Sequence, residues 1–254
     1  MQTDVLSQQR NLYQGTFYRR HRWRWMFRDD CRYRWHRLRE VLFTLGISSL
    51  RKVVYEIGFG SGDLLFQFPS SCTLMGAELS ADAVTAIQSD PRLALYRDHW
   101  FRALDSDGRI PIPEIKADIV LTSHVLEHVP DDRVFLEQAL PALAPDGIVI
   151  IFVPLESPGF DPKHVRTYSV RSLCQLVRGL GLEVLHVETN YHICAGPFRW
   201  MDHPARHDWP CLQSLEGIRN VMMTVVPYRA ARGLEEVLAL VGVLPTQIML
   251  VAGR

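Results

Sequence analysis

Two sets of residues in this sequence have types and spacing that suit chemistry on a small ligand. The segment "SHVLEHV" places His124, Glu127 and His128 at positions i, i+3 and i+4, which share one face if the segment is helical. Imidazole and carboxylate groups at this spacing can accept a proton or bind a metal ion. The segment "YEIGFGSGDLL" holds three glycines at alternate positions, which allow a ligand to lie directly on the backbone.

The glycine triplet stands between a predicted strand and a predicted helix. Gly58, Gly60 and Gly62 follow the apolar run "KVVYEI", and their spacing differs from the G-x-G-x-x-G of nicotinamide enzymes. Glu56 precedes the first glycine. Glu78 lies 22 residues after Glu56, at the end of the second predicted strand. A carboxylate there can accept hydrogen bonds from both hydroxyls of a ribose. This order of strand, acid, glycines, helix, strand and acid predicts a nucleotide-compatible site.

The elements that must position these residues are short apolar runs separated by helical stretches. From residue 52 onward we predict strands at "KVVYEIG", around residues 74–79, and at "LALYR", "ADIVLTSHV", "GIVIIFVP", "GLEVLHVETN" and "TQIMLVAGR". Strands that are apolar on both faces and alternate with helices are typical of a parallel sheet covered on both sides. The predicted fold class is α/β, Rossmann-like and doubly wound, with a mostly parallel seven-stranded sheet. The last two strands can include an antiparallel edge strand.

Two segments lie outside this regular alternation. Residues 1–50 are predicted to form an N-terminal helical cap on a main domain of residues 51–254, as one structural unit. Within that domain, residues 191–245 are predicted to be an insertion on the substrate side, before the last strand. Its segment "MDHPARHD" predicts a polar loop, or alternatively a metal site, from Asp202, His203, His207 and Asp208. Trp200 and Trp209 flank this segment and either line a pocket or anchor the loop to the core.

Between residues 53 and 190 the chain resembles the class I S-adenosylmethionine-dependent methyltransferases, in particular those of the ubiquinone and menaquinone type. "EIGFGSG" is similar to the first motif of the family, Glu78 to its ribose-binding acid, and "YRDHW" places Asp98 where the family often has an acid beside the adenine. "ADIVLTSHVLEHVPDD" and "LAPDGIVIIFVP" resemble the fourth strand with its loop and the turn before the fifth strand. The resemblance implies that the main domain binds S-adenosylmethionine, transfers its methyl group to a nucleophile and releases S-adenosylhomocysteine. The cofactor-binding residues expected are Glu56, Gly58, Phe59, Gly60, Gly62, Glu78, Leu79, Asp98, His99, Ser123 and His124.

A second resemblance concerns the histidine-rich segment. The small-RNA 3′-terminal 2′-O-methyltransferases of this lineage bind a divalent metal through E-x-x-E-H and a histidine after strand five. Glu127, His128 and His164 match that pattern, whereas His124 replaces its first glutamate. The resemblance therefore implies a metal site of His124, Glu127, His128 and His164, for a softer metal than magnesium. Without metal, His128 and His164 are the candidate general bases, and buried structural histidines are the alternative.

Composition narrows the class of partner. Lys plus Arg equals Asp plus Glu, 28 against 28, so the chain as a whole has no polyelectrolyte character. The five cysteines are widely spaced and odd in number, which favours a reducing, cytoplasmic location. No apolar run is long enough for a membrane span. We expect a small-molecule acceptor, anionic or aromatic, methylated on oxygen or nitrogen, with the oligomeric state open. The alternatives are an RNA-directed 2′-O-methyltransferase and a non-catalytic binding protein of the same fold.

An arginine-rich stretch bears on the RNA alternative. "RRHRWRWMFRDDCRYRWHR" interleaves basic and aromatic residues, as nucleic-acid-binding segments do. At helical spacing, however, an apolar stripe runs through Trp23, Phe27, Cys31, Trp35, Leu38 and Leu42. The stripe favours a cap helix whose aromatics are committed to packing. It predicts that Trp23, Phe27 and Trp35 are buried.

Overall fold

The computed structural model describes residues 29–192 and 225–254. They form one seven-stranded sheet of order β3-β2-β1-β4-β5-β7-β6. The strands are β1 (Val53–Ile57), β2 (Thr73–Glu78), β3 (Asp98–Ala103), β4 (Ala117–Ser123), β5 (Leu143–Pro154), β6 (Glu183–Asn190) and β7 (Gln247–Gly253). The described α-helices are α1 (Asp29–Thr44), α2 (Ala81–Gln88), α3 (Asp132–Ala139), α4 (Val170–Gly179) and α5 (Tyr228–Leu240).

The sheet has the predicted α/β architecture, so the fold class is confirmed. The pairs among β1 to β5 are all parallel. Strand β7 runs antiparallel to both of its neighbours, β5 and β6, and lies inside the sheet rather than at its edge. Consequently the carboxyl ends of β1, β2, β4, β5 and β6 all lie at one edge. Ligands of open α/β sheets bind at that edge.

The central strands are buried on both faces, as their unbroken apolar runs predict. Alternate residues of one strand belong to two separate hydrophobic clusters, one on each face of the sheet. In β7, for example, Met249 and Val251 belong to one cluster, and Ile248 and Leu250 to the other. This two-sided packing holds the carboxyl edge in a fixed geometry.

The strand predicted over "LALYR" is wrong. Residues Pro91–Leu95 form a 3-10 helix instead, whose first residue is a proline. The side chain of Asp90 caps this helix by accepting a hydrogen bond from the backbone N–H of Arg92. The third strand therefore starts at Asp98, after the predicted segment has ended.

Helix α1 lies in the described part of residues 1–50, the segment predicted to form a cap. Cys31, Trp35, Leu38 and Leu42 are buried, which confirms the apolar stripe over this part of the helix. Trp35 packs on Phe68 with ring centroids 4.6 Å apart, in the same cluster as one face of the sheet. Trp23 and Phe27 lie outside the described residues.

Several predictions for the insertion also lie outside the described residues. They concern Trp200, Asp202, His203, His207, Asp208 and Trp209. Of residues 191–245, which the sequence predicts to be an insertion, the structure describes 191–192 and 225–245, and these include helix α5. Cys31, Cys72 and Cys174 are buried free thiols. Among the described residues, no helix has the length and apolar character that crossing a membrane requires.

Candidate cofactor and acceptor site

The glycine loop leaves the carboxyl end of β1 in left-handed conformations. Gly58, Gly60 and Gly62 have φ angles of +80°, +56° and +73°. At Gly58 the space is closed as well, because a Cβ atom there would lie 2.2 Å from a methyl group of Val125. The backbone N–H of Gly58 donates to Ala77 O over 2.8 Å. The loop is thus tied to β2 on one side and pressed against the segment after β4 on the other.

Glu78 ends β2 directly beside this loop. Its carboxylate accepts hydrogen bonds from the backbone N–H groups of Gly60 and Leu79, each over 2.7 Å. Burial raises the pKa of Glu78, and these backbone donors partly oppose that rise. Each carboxylate oxygen has a second lone pair. The acid is therefore fixed in place while it can still accept from a ligand.

Glu56 is the penultimate residue of β1 and is buried, just before the glycine loop. It has a backbone hydrogen bond with Leu65, whereas its Oε2 accepts none from the residues that the structure describes. Burial raises the pKa of Glu56 well above its ordinary value, and the charge of Arg34 opposes this. Arg34 also donates from Nη1 to Ser123 Oγ over 3.0 Å.

Arg34 is a site residue that the sequence interpretation missed. It comes from α1 and lies between the carboxyl ends of β1 and β4, where Glu56 and Ser123 stand. The available signal was its position, since Arg34 directly precedes the buried Trp35 and follows Cys31 by three residues. A charged residue on the edge of a buried helical stripe is a candidate for a site under that helix.

Asp98 and His99 are not brought to this site. Asp98 pairs with Thr73 at the amino end of β3, whereas Ala103 pairs with Glu78. Five residues of strand separate the two levels, about 17 Å. The cause is the late start of β3, which moves its carboxyl end to Ala103. The residues that follow it at the correct edge are Leu104 and Asp105, and Leu104 N–H donates to Glu78 O over 2.8 Å.

Phe59 and Leu79 support other residues of the site. Phe59 is buried and packs edge-on against Phe101, with ring centroids 5.4 Å apart. Its side chain therefore supports the loop from the core side. Leu79 contributes the backbone N–H that holds Glu78.

His124 follows the last residue of β4 and is held at both ring nitrogens. Its φ angle is +56°, a left-handed conformation that is costly for a residue with a side chain. Nε2 lies 3.1 Å from Oε1 of Gln247, the first residue of β7. Nδ1 lies 3.4 Å from Glu127 Oε1. The imidazole is thus oriented by β7 on one side and by its own loop on the other.

Glu127, His128 and His164 come together at the carboxyl edge of β4 and β5. One potential ligand atom from each lies within 4.8 Å of the others. The side chain of Glu127 is 1% exposed, and among the described residues neither oxygen accepts a hydrogen bond of good geometry, Nδ1 of His124 lying 3.4 Å from Oε1. The rings of His128 and His164 meet edge-on, with centroids 4.7 Å apart. His124, the fourth residue predicted for a metal, is not in this group of the described residues.

The two histidines have different electrostatic surroundings. Burial lowers the pKa of His128, whose Nδ1 lies 3.3 Å from the backbone oxygen of Lys163. Burial also acts to lower the pKa of His164, but the hydrogen bond and charge of Glu156 outweigh it and raise that pKa. Nδ1 of His164 pairs with the Glu156 carboxylate. Glu156 was missed by the sequence interpretation, although it stands two residues after β5.

Solved structures with the same fold are known. The chain has a TM-score of 0.61 and 14% identity to magnesium protoporphyrin IX methyltransferase from Synechocystis PCC 6803, solved with bound S-adenosylhomocysteine, over 98% of this chain and 99% of that one. It has a TM-score of 0.56 and 13% identity to coclaurine N-methyltransferase bound to N-methylheliamine and S-adenosylhomocysteine, over 86% and 70% of the two chains. At these identities the likeness shows the fold alone.

Sequence comparison adds the family. A Mycolicibacterium smegmatis protein described as a "probable S-adenosylmethionine-dependent methyltransferase" is 27% identical over 165 residues, which are 59% of this chain. The match spans 60% of the length of that relative. Residues 18–187 match the family described as "Methyltransferase domain". The chain therefore belongs to the methyltransferase-domain family, and it has the fold of the S-adenosylmethionine-dependent methyltransferases to which it is similar.

Proposed function

We propose that this protein transfers the methyl group of S-adenosylmethionine to an oxygen or nitrogen of a small-molecule acceptor. The observation that supports this most directly is the glycine loop locked onto Glu78 at the carboxyl edge of the sheet. That arrangement offers backbone close to a ligand and a fixed acceptor for two ribose hydroxyls. Family membership and the cofactor named in the related structures support the same assignment.

The remaining cofactor contacts follow from the charges at this edge. Arg34 is a cation close to Glu56 and Ser123 at this edge, so we assign it to the carboxylate of the cofactor's methionine part. Glu56, with an unused oxygen, is assigned to the amino group of that part. The turn at Leu104 and Asp105 replaces Asp98 and His99 as the adenine edge of the site. Ser123 and His124 are assigned to the end where the methyl group leaves.

The acceptor is assigned to the side of the Glu127–His128–His164 cluster. An alcohol must lose its proton as its oxygen bonds to the methyl carbon, whereas an ammonium group must lose a proton beforehand, because only the neutral amine has a lone pair to attack with. The carbon–sulfur bond breaks, its electron pair stays on sulfur, and S-adenosylhomocysteine is released. His128 is the proposed acceptor of the proton, because its lowered pKa keeps the ring neutral near pH 7. Glu156 stabilises positive charge on His164, which can take the same role.

A divalent metal is a second candidate for the same cluster, and the donor set fits one. Among the described residues the buried carboxylate of Glu127 accepts no hydrogen bond of good geometry, although Nδ1 of His124 lies 3.4 Å from it. Both histidines present Nδ1 to an acceptor, as metal-binding histidines usually do. A bound ion would lower the pKa of an acceptor hydroxyl and orient it. Glu127, His128 and His164 would hold it, with Glu156 and the backbone oxygen of Lys163 orienting the rings. Two imidazoles and one carboxylate favour zinc or iron over magnesium.

Methyl transfer from labelled S-adenosylmethionine to a metabolite pool tests the function, with and without a chelator. We expect transfer that falls by about 10²- to 10⁴-fold in His128→Asn or His164→Asn. His99→Asn, a histidine at the opposite edge of the sheet, is the matched control and should retain wild-type transfer. Absence of transfer and of S-adenosylhomocysteine binding would refute both the enzyme and the cofactor assignment. Transfer only to an RNA oligonucleotide would overturn the small-molecule acceptor.

The metal has a readout of its own. Metal content per chain, measured by mass spectrometry after dialysis against zinc, should approach one in the wild type and fall in Glu127→Gln. Transfer that survives complete metal removal would refute the metal and leave the histidine base.

A further inference from the structure

Glu188 lies on the edge strand β6, away from the glycine loop, and is the centre of a polar network. Nε and Nη2 of Arg37 donate to its two carboxylate oxygens, the first over 2.7 Å. Asn190 Nδ2 donates to Glu188 Oε1 over 2.8 Å, and His186 Nε2 lies 3.1 Å from Glu188 Oε2. The side chains of Arg37 and Glu188 are only 18% and 16% exposed, so solvent screens their attraction weakly.

On one side this network reaches the cap helix. Arg37 stands on α1, and its fork binds Glu188 at two points, which fixes the rotation of the helix as well as its distance from the sheet. Arg34 is one turn earlier on the same helix and donates to Ser123 at the site. A rotation of α1 that breaks the Arg37 pair therefore moves Arg34 as well.

On the other side the network reaches the site through two amides. Asn190 Oδ1 accepts from Gln247 Nε2 over 2.9 Å, and Gln247 Oε1 lies 3.1 Å from His124 Nε2. His124 needs such support, because its left-handed backbone is intrinsically unfavourable. Asn190 and Gln247 are both buried, so each link is shielded from water.

At Glu40 on helix α1 the network also reaches helix α5. Arg37 Nη1 and the hydroxyl of Tyr228 both donate to Glu40 Oε2 over 2.7 Å. The Tyr228 ring stacks on His36, with centroids 4.7 Å apart. Helix α5 is thereby joined to α1 at the same turn that carries Arg37.

We infer that Glu188 is a positioning residue for cofactor binding, acting through Arg37 on Arg34 and through Asn190 and Gln247 on His124. This assignment rests on the proposed cofactor site. It gives β6, which contributes no residue to the glycine loop, control over both flanks of the methionine end of the cofactor. Energetic coupling between separated sites typically changes affinity by about 5- to 150-fold.

Calorimetric titration with S-adenosylhomocysteine tests the inference. We expect Glu188→Gln and Arg37→Gln each to weaken binding of S-adenosylhomocysteine about tenfold. The double variant should lose no more affinity than the single variant with the larger loss, because both changes break the same pair. Arg92→Gln is the matched control, since Arg92 forms a similarly buried two-point pair with Asp90 far from this edge. It should bind like the wild type.

A conservative variant separates positioning from folding. Arg37→Lys keeps the charge but loses the planar fork, so we expect weaker binding with an unchanged thermal midpoint of the free protein. Wild-type affinity in Glu188→Gln, or an equal loss in Arg92→Gln, would overturn the inference and leave the proposed function standing. A wild-type chain that does not bind S-adenosylhomocysteine would refute the proposed function, and with it this assignment.

Discussion

Replacing Gly58 by alanine tests the geometry of the cofactor loop with a magnitude that the structure sets. A side chain at φ +80° costs about 1–2 kcal/mol in backbone strain. Its Cβ would also lie 2.2 Å from a Val125 methyl group, and relieving that overlap costs about 1–3 kcal/mol more. The stiffer unfolded chain returns about 0.4–1 kcal/mol. We therefore expect Gly58→Ala to lower the free energy of unfolding by about 1–5 kcal/mol, with a central value of about 3 kcal/mol.

Urea denaturation of three further variants isolates the contact. Gly60→Ala has a similar φ but open space around its Cβ, so it should cost only about 1 kcal/mol. The double variant Gly58→Ala/Val125→Ala should recover the overlap energy, giving a favourable coupling of about 1–3 kcal/mol against the two single variants. Equal costs for Gly58→Ala and Gly60→Ala, with no coupling to Val125, would refute the close approach of the loop to the segment after β4.

Three other predictions concern α1 and the network behind it. Arg34→Gln should weaken S-adenosylhomocysteine binding about tenfold by calorimetry, since it removes a charge-assisted contact. Trp35→Ala should cost about 3–5 kcal/mol in urea, while Phe43→Ala, 86% exposed on the same helix, should cost almost nothing. Burial alone would raise the pKa of Glu188, but hydrogen bonds led by that of Arg37 hold it below its ordinary value of 4.5. Its stabilisation is therefore present above pH 4.5 and is lost as pH falls through the lowered pKa, so the stability gap between wild type and Glu188→Gln should be constant above about pH 4.5 and should narrow as pH falls below it.

The parts of the fold that the sequence predicts are those in which one strong local signal decides the structure. The apolar runs of β1, β4, β5 and β7 are buried on both faces and could adopt few other conformations. The glycine loop and Glu78 are adjacent because β1 and β2 are parallel neighbours joined by one short connection. The helix predicted after the glycines is wrong, since only the 3-10 helix Leu65–Gln67 forms there. "LALYR" fails because its β-like composition is outweighed by a neighbouring cap, Asp90 followed by Pro91, that starts a 3-10 helix.

The errors in the site follow from the same cause. The third strand starts five residues later than predicted. Asp98 and His99, predicted to follow the carboxyl end of that strand, therefore lie at its amino end, on the opposite edge of the sheet. Arg34 could not be assigned from spacing alone, because its place beside Glu56 depends on how α1 packs across the sheet. The link from Glu188 to His124 joins residues that are far apart in sequence and has no local pattern.

The most direct test of the account is calorimetric titration of S-adenosylhomocysteine into the wild type, Glu78→Ala and Asp98→Ala. Glu78→Ala removes the carboxylate that we propose accepts from two ribose hydroxyls, and it removes the hydrogen bond to Gly60 N–H that holds the loop, so binding should weaken about a hundredfold or more. Asp98→Ala lies at the opposite edge of the sheet and should bind like the wild type. Failure of the wild type to bind, or an equal loss of affinity in Asp98→Ala, would contradict the site described for this protein.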